Sequence, residues 1–147
     1  MRRTIVTLLL ATAAAAPLSA QAKPAAHHPT TVAVATGDTV LDGRPLSAWI
    51  ADLKAPAPAT RNNAAYTIAR MGPAAKDAVP ALITALGDEA SSVRYPVAFA
   101  LGEIGPAAES AIPVLLKLVD DPNDEVGFMA RKSLKKLGHP VPIPSDD

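Results

Sequence analysis

Pro80-Ala-Leu-Ile-Thr-Ala-Leu-Gly-Asp-Glu-Ala-Ser-Ser-Val-Arg-Tyr-Pro-Val-Ala-Phe-Ala-Leu-Gly-Glu-Ile-Gly-Pro106 reads as a short apolar helix, a polar turn, a longer apolar helix and a Gly-Pro stop. The same pattern stands on both sides of it. Gly72-Pro73 returns as Gly105-Pro106, an offset of 105 − 72 = 33, and Pro80 returns as Pro113 and Arg61 as Arg94 at the same offset. Leu53, Leu86 and Val119 share one position of the unit, and Ile68, Leu101 and Leu134 share another. Met71, Ile104 and Leu137 close each unit, followed by Gly72, Gly105 and Gly138. The register holds without a gap from Leu46 to Gly138, and a period of this length is that of a helical solenoid. The expected fold is therefore all-α, an α-solenoid of three helical-hairpin repeats at about 46–78, 79–111 and 112–138, within a domain spanning 43–139.

Each unit divides into an A helix and a B helix. The A helices are expected around Leu46–Lys54, Ala78–Gly87 and Ala111–Asp120. Leu46, Trp49, Ile50 and Leu53 in the first, Val79, Leu82, Ile83 and Leu86 in the second, and Ile112, Leu115, Leu116 and Val119 in the third each make one apolar face. Asp77 and Ser110 are N-cap types that place Pro80 and Pro113 in a first turn, where a missing N–H costs little. The B helices are expected around Thr60–Met71, Val93–Ile104 and Glu125–Leu137, with Ser91 or Ser92 capping the second and Asn123 or Asp124 the third. Pro96 is expected in a first turn as well. Gly72, Gly105 and Gly138 fall where a helix ends in the left-handed conformation. The run Arg131, Lys132, Lys135, Lys136 is explained by the C-terminal end of a helix dipole, and Asp124 and Glu125 by its start.

Outside the repeats the chain is of a different kind. Arg2 and Arg3, the uncharged apolar run Ile5–Ala16 and the small-residue site Ala20-Gln21-Ala22 follow the order of a cleavable signal peptide over residues 1–22, with Lys23 as the first mature residue. The leader is of a bacterial style and implies a periplasmic or secreted protein, with no membrane span in the mature chain. Its loss leaves 14 − 2 = 12 basic against 14 acidic residues, a balance that does not favour nucleic acid. Residues 23–42, rich in Ala, Pro, Thr and His, read as a flexible linker, with a short strand at Thr31–Ala35 lacking a partner. Residues 140–147 form a Pro-rich tail that either folds back over the last helix or hangs free. With no cysteine, disulfides and thiolate metal sites are excluded. His27-His28 reads as a solvated pair, since a metal site needs further ligands held in place.

Ser92-Val-Arg-Tyr-Pro-Val-Ala-Phe-Ala-Leu-Gly-Glu-Ile-Gly-Pro106 and Ala78-Val-Pro-Ala-Leu82 resemble HEAT repeats, in the short form similar to the HEAT-like repeats of phycobilin lyases. The resemblance covers Leu46 to Gly138. It implies that Arg61 and Arg94 pair with acidic turn residues, which Gly127, standing at the same place in the third unit, does not. His139 likewise stands where Pro73 and Pro106 stand. The resemblance is informative about fold and much less so about activity.

Nothing in the chain reads as a catalytic, cofactor or metal site. The three histidines lie outside the repeat helices, and there is no His-Glu pair on a helix, phosphate loop or nucleophile motif. The acidic turns at Asp88-Glu89 and Asp120–Glu125 lack the spacing and central Gly of a calcium loop. The aromatic residues carry more information. Apart from Trp49, every ring sits on a B helix in one of two columns four residues apart: Tyr95 and Phe128 with Asn62, and Tyr66 and Phe99 with Lys132. These columns point away from the core direction of each B helix, which in a HEAT solenoid is the concave side. Tyr66, Tyr95, Phe99 and Phe128 are thus candidate partner-binding residues, with Arg70 and Glu103 as a polar rim and Lys132 closing the stripe. The alternative is that the rings only pack between adjacent B helices or beneath the linker. The leading expectation is a non-enzymatic scaffold for a protein or peptide partner. Set against it are a cofactor-handling protein of the lyase type and a structural component of the cell envelope that stacks end to end.

Overall fold

The computed structural model describes residues 38–142. The leader, the strand expected at Thr31–Ala35 and most of the linker lie outside the described residues. The first element is a two-stranded antiparallel hairpin, β1 (Val40–Leu41) and β2 (Arg44–Pro45), which begins inside the stretch read as linker. Its two-residue turn is Asp42-Gly43, with φ of 53° and 75°. Positive φ at both central positions is the geometry that suits a tight hairpin and that Asp-Gly adopts readily.

Three helical hairpins follow. The A helices are α1 (Leu46–Asp52), α3 (Val79–Ala85) and α5 (Ile112–Leu118), and the B helices are α2 (Pro58–Met71), α4 (Ser91–Ile104) and α6 (Asp124–Lys136). Gly72 and Gly105 stop the first two B helices at φ of 56° and 73°, and Gly138 at 81° follows the third. The 3₁₀ segments Gly72–Ala78 and Gly105–Ala111 then lead directly into α3 and α5. That continuity corrects the capping expectation for Asp77 and Ser110. The N–H groups of Val79 and Ile112 already bond the Lys76 and Glu109 carbonyls, so Ala78 and Ala111 stand at the N-cap with no side-chain cap. Pro80 and Pro113 do fall at the helix starts, where their missing N–H groups cost little.

Two further corrections concern α4. Neither Ser91 nor Ser92 caps it. The turn is held instead by Asp88, whose Oδ1 accepts the Ala90 N–H at 2.9 Å. Pro96 lies inside the helix rather than in its first turn. A proline there frees the carbonyl four residues back, that of Ser92. Asn62 of α2 donates its amide to that carbonyl, so the lost intrahelical bond becomes a bond between repeats. α6 is capped conventionally, with the Asn123 side chain accepting the N–H groups of Glu125 and Val126.

The B helices pack side by side, α2 on α4 and α4 on α6. Each A helix packs on the B helix of its own unit and reaches the next A helix through the intervening 3₁₀ segment. One continuous core runs through all three units, with Leu46, Ile68, Leu82, Leu86, Leu101, Ile104, Leu115 and Leu134 fully buried. Leu116, counted on the apolar face of α5, is instead exposed. Close B-to-B packing depends on small residues. Ala65 and Ala69 of α2 and Ala98 and Gly102 of α4 are buried, and a Cβ on Gly102 would lie 2.7 Å from Ser133 Oγ and 3.1 Å from the Ser133 Cα. The Ser133 hydroxyl donates a 2.7 Å bond to the Ala98 carbonyl across this seam.

Both ends of the stack are finished differently from its middle. At the N-terminal end Trp49 is buried, and the Arg44 guanidinium lies 4.0 Å over its ring, held by Asp52 at 2.9 Å. At the C-terminal end, the places of Ala98 and Gly102 are taken by Arg131 and Lys135. Val141 of the tail packs against the core, so the first residues of the tail do fold back. Ser91–Leu118 is long and apolar enough by composition to cross a membrane. It is a broken segment, interrupted at Gly105, whose Val93, Val97, Leu101 and Leu115 belong to the core.

Candidate functional site

The units are tied together by a ladder of ion pairs. Arg61 of α2 makes a bidentate contact with Asp88 in the following turn, Nε to Oδ2 at 2.6 Å and a second guanidinium N–H to Oδ1 at 2.9 Å. Arg94 of α4 repeats it on Asp121, both bonds at 2.8 Å. The remaining guanidinium nitrogen bonds the Ala55 and Pro56 carbonyls in the first case and those of Asp88 and Glu89 in the second. All four side chains are largely covered. The paired guanidinium, opposed by burial and helped by a backbone N–H, holds the carboxyls of Asp88 and Asp121 below the usual range. Gly127 occupies the next rung. A Cβ there would meet the Val119 carbonyl at 2.8 Å, so the preceding turn closes onto the space an arginine would need.

By fixing the turns before α4 and α6, the ladder sets the N-terminal halves of the three B helices beside one another. Between them runs an open groove of about 710 Å³. Asn62 and Tyr66 of α2 line it on one side, and Ser91, Ser92 and Tyr95 of α4 form its floor. Asn123, Asp124, Glu125 and Phe128 of α6 complete it. Phe128 is 60% and Tyr66 40% exposed, whereas Tyr95 is half-buried. Burial raises the Tyr66 phenol pKa, and Tyr95 and Glu125, which line the same groove, add to the rise.

The residues singled out from the sequence divide into two sets. Tyr66, Tyr95 and Phe128 come together in the groove. Phe99 does not line it: half-buried, it packs against the core and against Tyr66, with ring centroids 6.4 Å apart at 56°. Tyr95 is packed against the core as well, so Tyr66 and Phe128 are the rings that stand exposed in the groove. Arg70 lies elsewhere, paired at 3.0 Å with Asp42 of the hairpin turn. Glu103 pairs with Lys136 at 2.5 Å, and Lys132 is exposed and does not line the groove. Sequence reasoning missed the polar half of the groove, Asn62, Ser91, Ser92 and Asn123–Glu125. The signal was available: Ser91-Ser92 and Asp124-Glu125 are one offset of 33 apart and immediately precede the aromatic columns.

Stacked helical hairpins with a shared core, a between-repeat arginine ladder and an open face on the second helix of each unit define a helical-repeat solenoid. The HEAT-repeat family model matches residues 46–135, and the chain belongs to that family. HEAT repeats are generally protein-interaction scaffolds. No curated protein matches the chain.

Proposed function

We propose that this chain is a non-enzymatic binding module that holds a protein or peptide partner in the groove across its B helices. The observation that carries the reading is the groove itself, with Tyr66, Tyr95 and Phe128 gathered on one open surface spanning three repeats. Exposed rings gathered on one face of a repeat protein, here Phe128 at 60% and Tyr66 at 40%, mark an interaction site, and Tyr is enriched where binding energy concentrates. The amide of Asn62 and the side chain of Asn123 are bound to backbone, which leaves the rings, the Asp124 and Glu125 carboxylates and the polar groups of Ser91 and Ser92 as the groove's available chemistry. That inventory suits holding a ligand more than transforming one. Growth by end-to-end stacking fits less well. A further repeat placed on α6 as α6 is placed on α4 would bury Arg131 and Lys135 where Ala98 and Gly102 are buried one repeat earlier, a costly place for charge. We propose further that the module works outside the cytoplasm, the support being the order of Arg2-Arg3, apolar run and Ala20-Gln21-Ala22.

The test is selection of binders from a displayed peptide library on the intact protein, followed by affinity and melting measurements on Phe128→Ala and Tyr95→Ala. Phe128, more than half exposed, should lose binding with a stability change within about 0.5 kcal/mol. Tyr95→Ala should also weaken binding, with a larger loss of melting temperature because its ring is half-buried. Selected peptides that bind both variants as tightly as the parent would refute the groove as the binding face.

A further inference from the structure

Resting on the reading of the groove as a peptide-binding face, we propose that its ligand is an extended peptide segment carrying an arginine or lysine side chain, which enters the aromatic cluster and pairs with Glu125 and Asp124. Charge is the first argument. Both formal charges lining the groove are negative, and neither Asp124 nor Glu125 makes an ion pair among the described residues. Asp42, Asp52, Asp88, Glu103 and Asp121 have cationic partners, and the other unpaired acids among the described residues, Asp38, Asp77, Glu89, Glu109 and Asp120, do not line the groove. The two carboxylates next to the rings are therefore available to a cation from outside.

The second argument is the company they keep. Tyr66, Tyr95 and Phe128 line the groove together with Glu125 and Asp124, so the carboxylates and the rings share one surface. Rings beside a carboxylate attract a cationic head through both the ring quadrupole and direct charge. The protein already uses this pairing once, with Arg44 over Trp49 and against Asp52. The third argument favours a peptide over a small amine. Ser91 and Ser92 occupy the first turn of α4, where N–H groups have no intrahelical acceptor, and no side chain caps that helix. Ser91 and Ser92 line the same groove, and free donors at that turn suit the carbonyls of an extended backbone. A ligand reaching them and the α6 carboxylates must cross the B helices, which an extended chain does and a single amine does not.

Fluorescence anisotropy on the intact protein tests this with four probes: a labelled eight-residue peptide of Ala and Gly containing one Phe and two Arg, the same peptide with citrulline for Arg, one with Glu for Arg, and free argininamide as competitor. The arginine peptide should bind, and its affinity should fall at least about threefold between about 0.05 and 0.2 M salt. Citrulline, glutamate and Glu125→Lys should each weaken it by about tenfold or more. Asp124→Asn/Glu125→Gln should act in the same direction, and unchanged melting would establish that neither variant acts through unfolding. Equal binding of the arginine and citrulline peptides, both lost in Phe128→Ala, overturns the basic ligand and leaves the groove as a binding face. Argininamide displacing the peptide at the peptide's own affinity overturns the extended-chain part. Absence of binding by every peptide, here and in the library selection, overturns the groove reading along with it.

Discussion

Replacing Gly102 by alanine sets helix propensity against packing. In an isolated helix the change stabilises by about 1 kcal/mol. In the packed protein the new carbon would stand 2.7 Å from Ser133 Oγ and 3.1 Å from both Cα and Cβ of Ser133, distances at which a neighbour has to move. Two of those atoms can turn aside with the side chain, but the Cα moves only with α6. Turning Ser133 aside also breaks its bond to the buried Ala98 carbonyl. Overpacking of this order costs about 1–3 kcal/mol and a lost hydrogen bond about 0.5–1.5 kcal/mol. Against the propensity gain, the balance is a destabilisation of about 2 kcal/mol. For a domain of this size that lowers the melting temperature by roughly 8–16 °C. Thermal and urea unfolding followed by far-ultraviolet circular dichroism measures it. Ser133→Gly removes the Oγ and Cβ obstructions, so the double variant should lose less than the sum of the single variants by at least about 0.5 kcal/mol. The sign decides the matter: a Gly102→Ala protein that melts higher than the parent would mean α4 and α6 are not in close contact there, and the account of how the B helices stack would fail.

Leu101, fully buried in the middle repeat, should cost about 2–5 kcal/mol as Leu101→Ala, and because one core runs through all units the loss should appear in a single cooperative transition. A two-step unfolding curve, or a loss below about 0.5 kcal/mol, would contradict that core. Asp88 and Asp121 have folded pKa values held below the ordinary carboxylate value by their arginines, so their contribution is fully present above that value and is lost as pH falls through the lowered one. The urea midpoint should accordingly drop steeply below about pH 4, and Asp121→Asn, already weaker at neutral pH, should drop less; equal acid sensitivity in the two proteins would remove the ladder from the account. Finally, export with cleavage after Ala22 should yield a mature chain beginning at Lys23, which intact-mass measurement of protein from the envelope fraction checks; a chain retaining Met1 in the cytoplasm would refute it.

The offset of 33 alone determined the architecture, because a repeat unit that cannot bury its own apolar face has to stack, and period, glycine stops and apolar columns are all local properties of the chain. It was also enough, with the family resemblance, to anticipate Arg61 and Arg94 bonding acidic turns, which the structure identifies as Asp88 and Asp121. The hairpin has an equally local signal in Asp42-Gly43, although it begins in the stretch expected to be linker. Helix starts were less legible. Asp77, Ser110, Ser91 and Ser92 have the chemistry of caps, but at α3 and α5 the 3₁₀ segments already accept the first N–H groups, and at α4 Asp88 binds the Ala90 N–H while neither serine caps the helix. The aromatic columns were visible as columns, yet only tertiary structure separated Phe99, turned against Tyr66 and the core, from Tyr66, Tyr95 and Phe128 around the groove. Two residues four apart on one helix share a face, but that face spans a wide arc. Which part of the arc meets the next helix, and which part meets solvent, is fixed by how closely Ala98 and Gly102 let α6 approach.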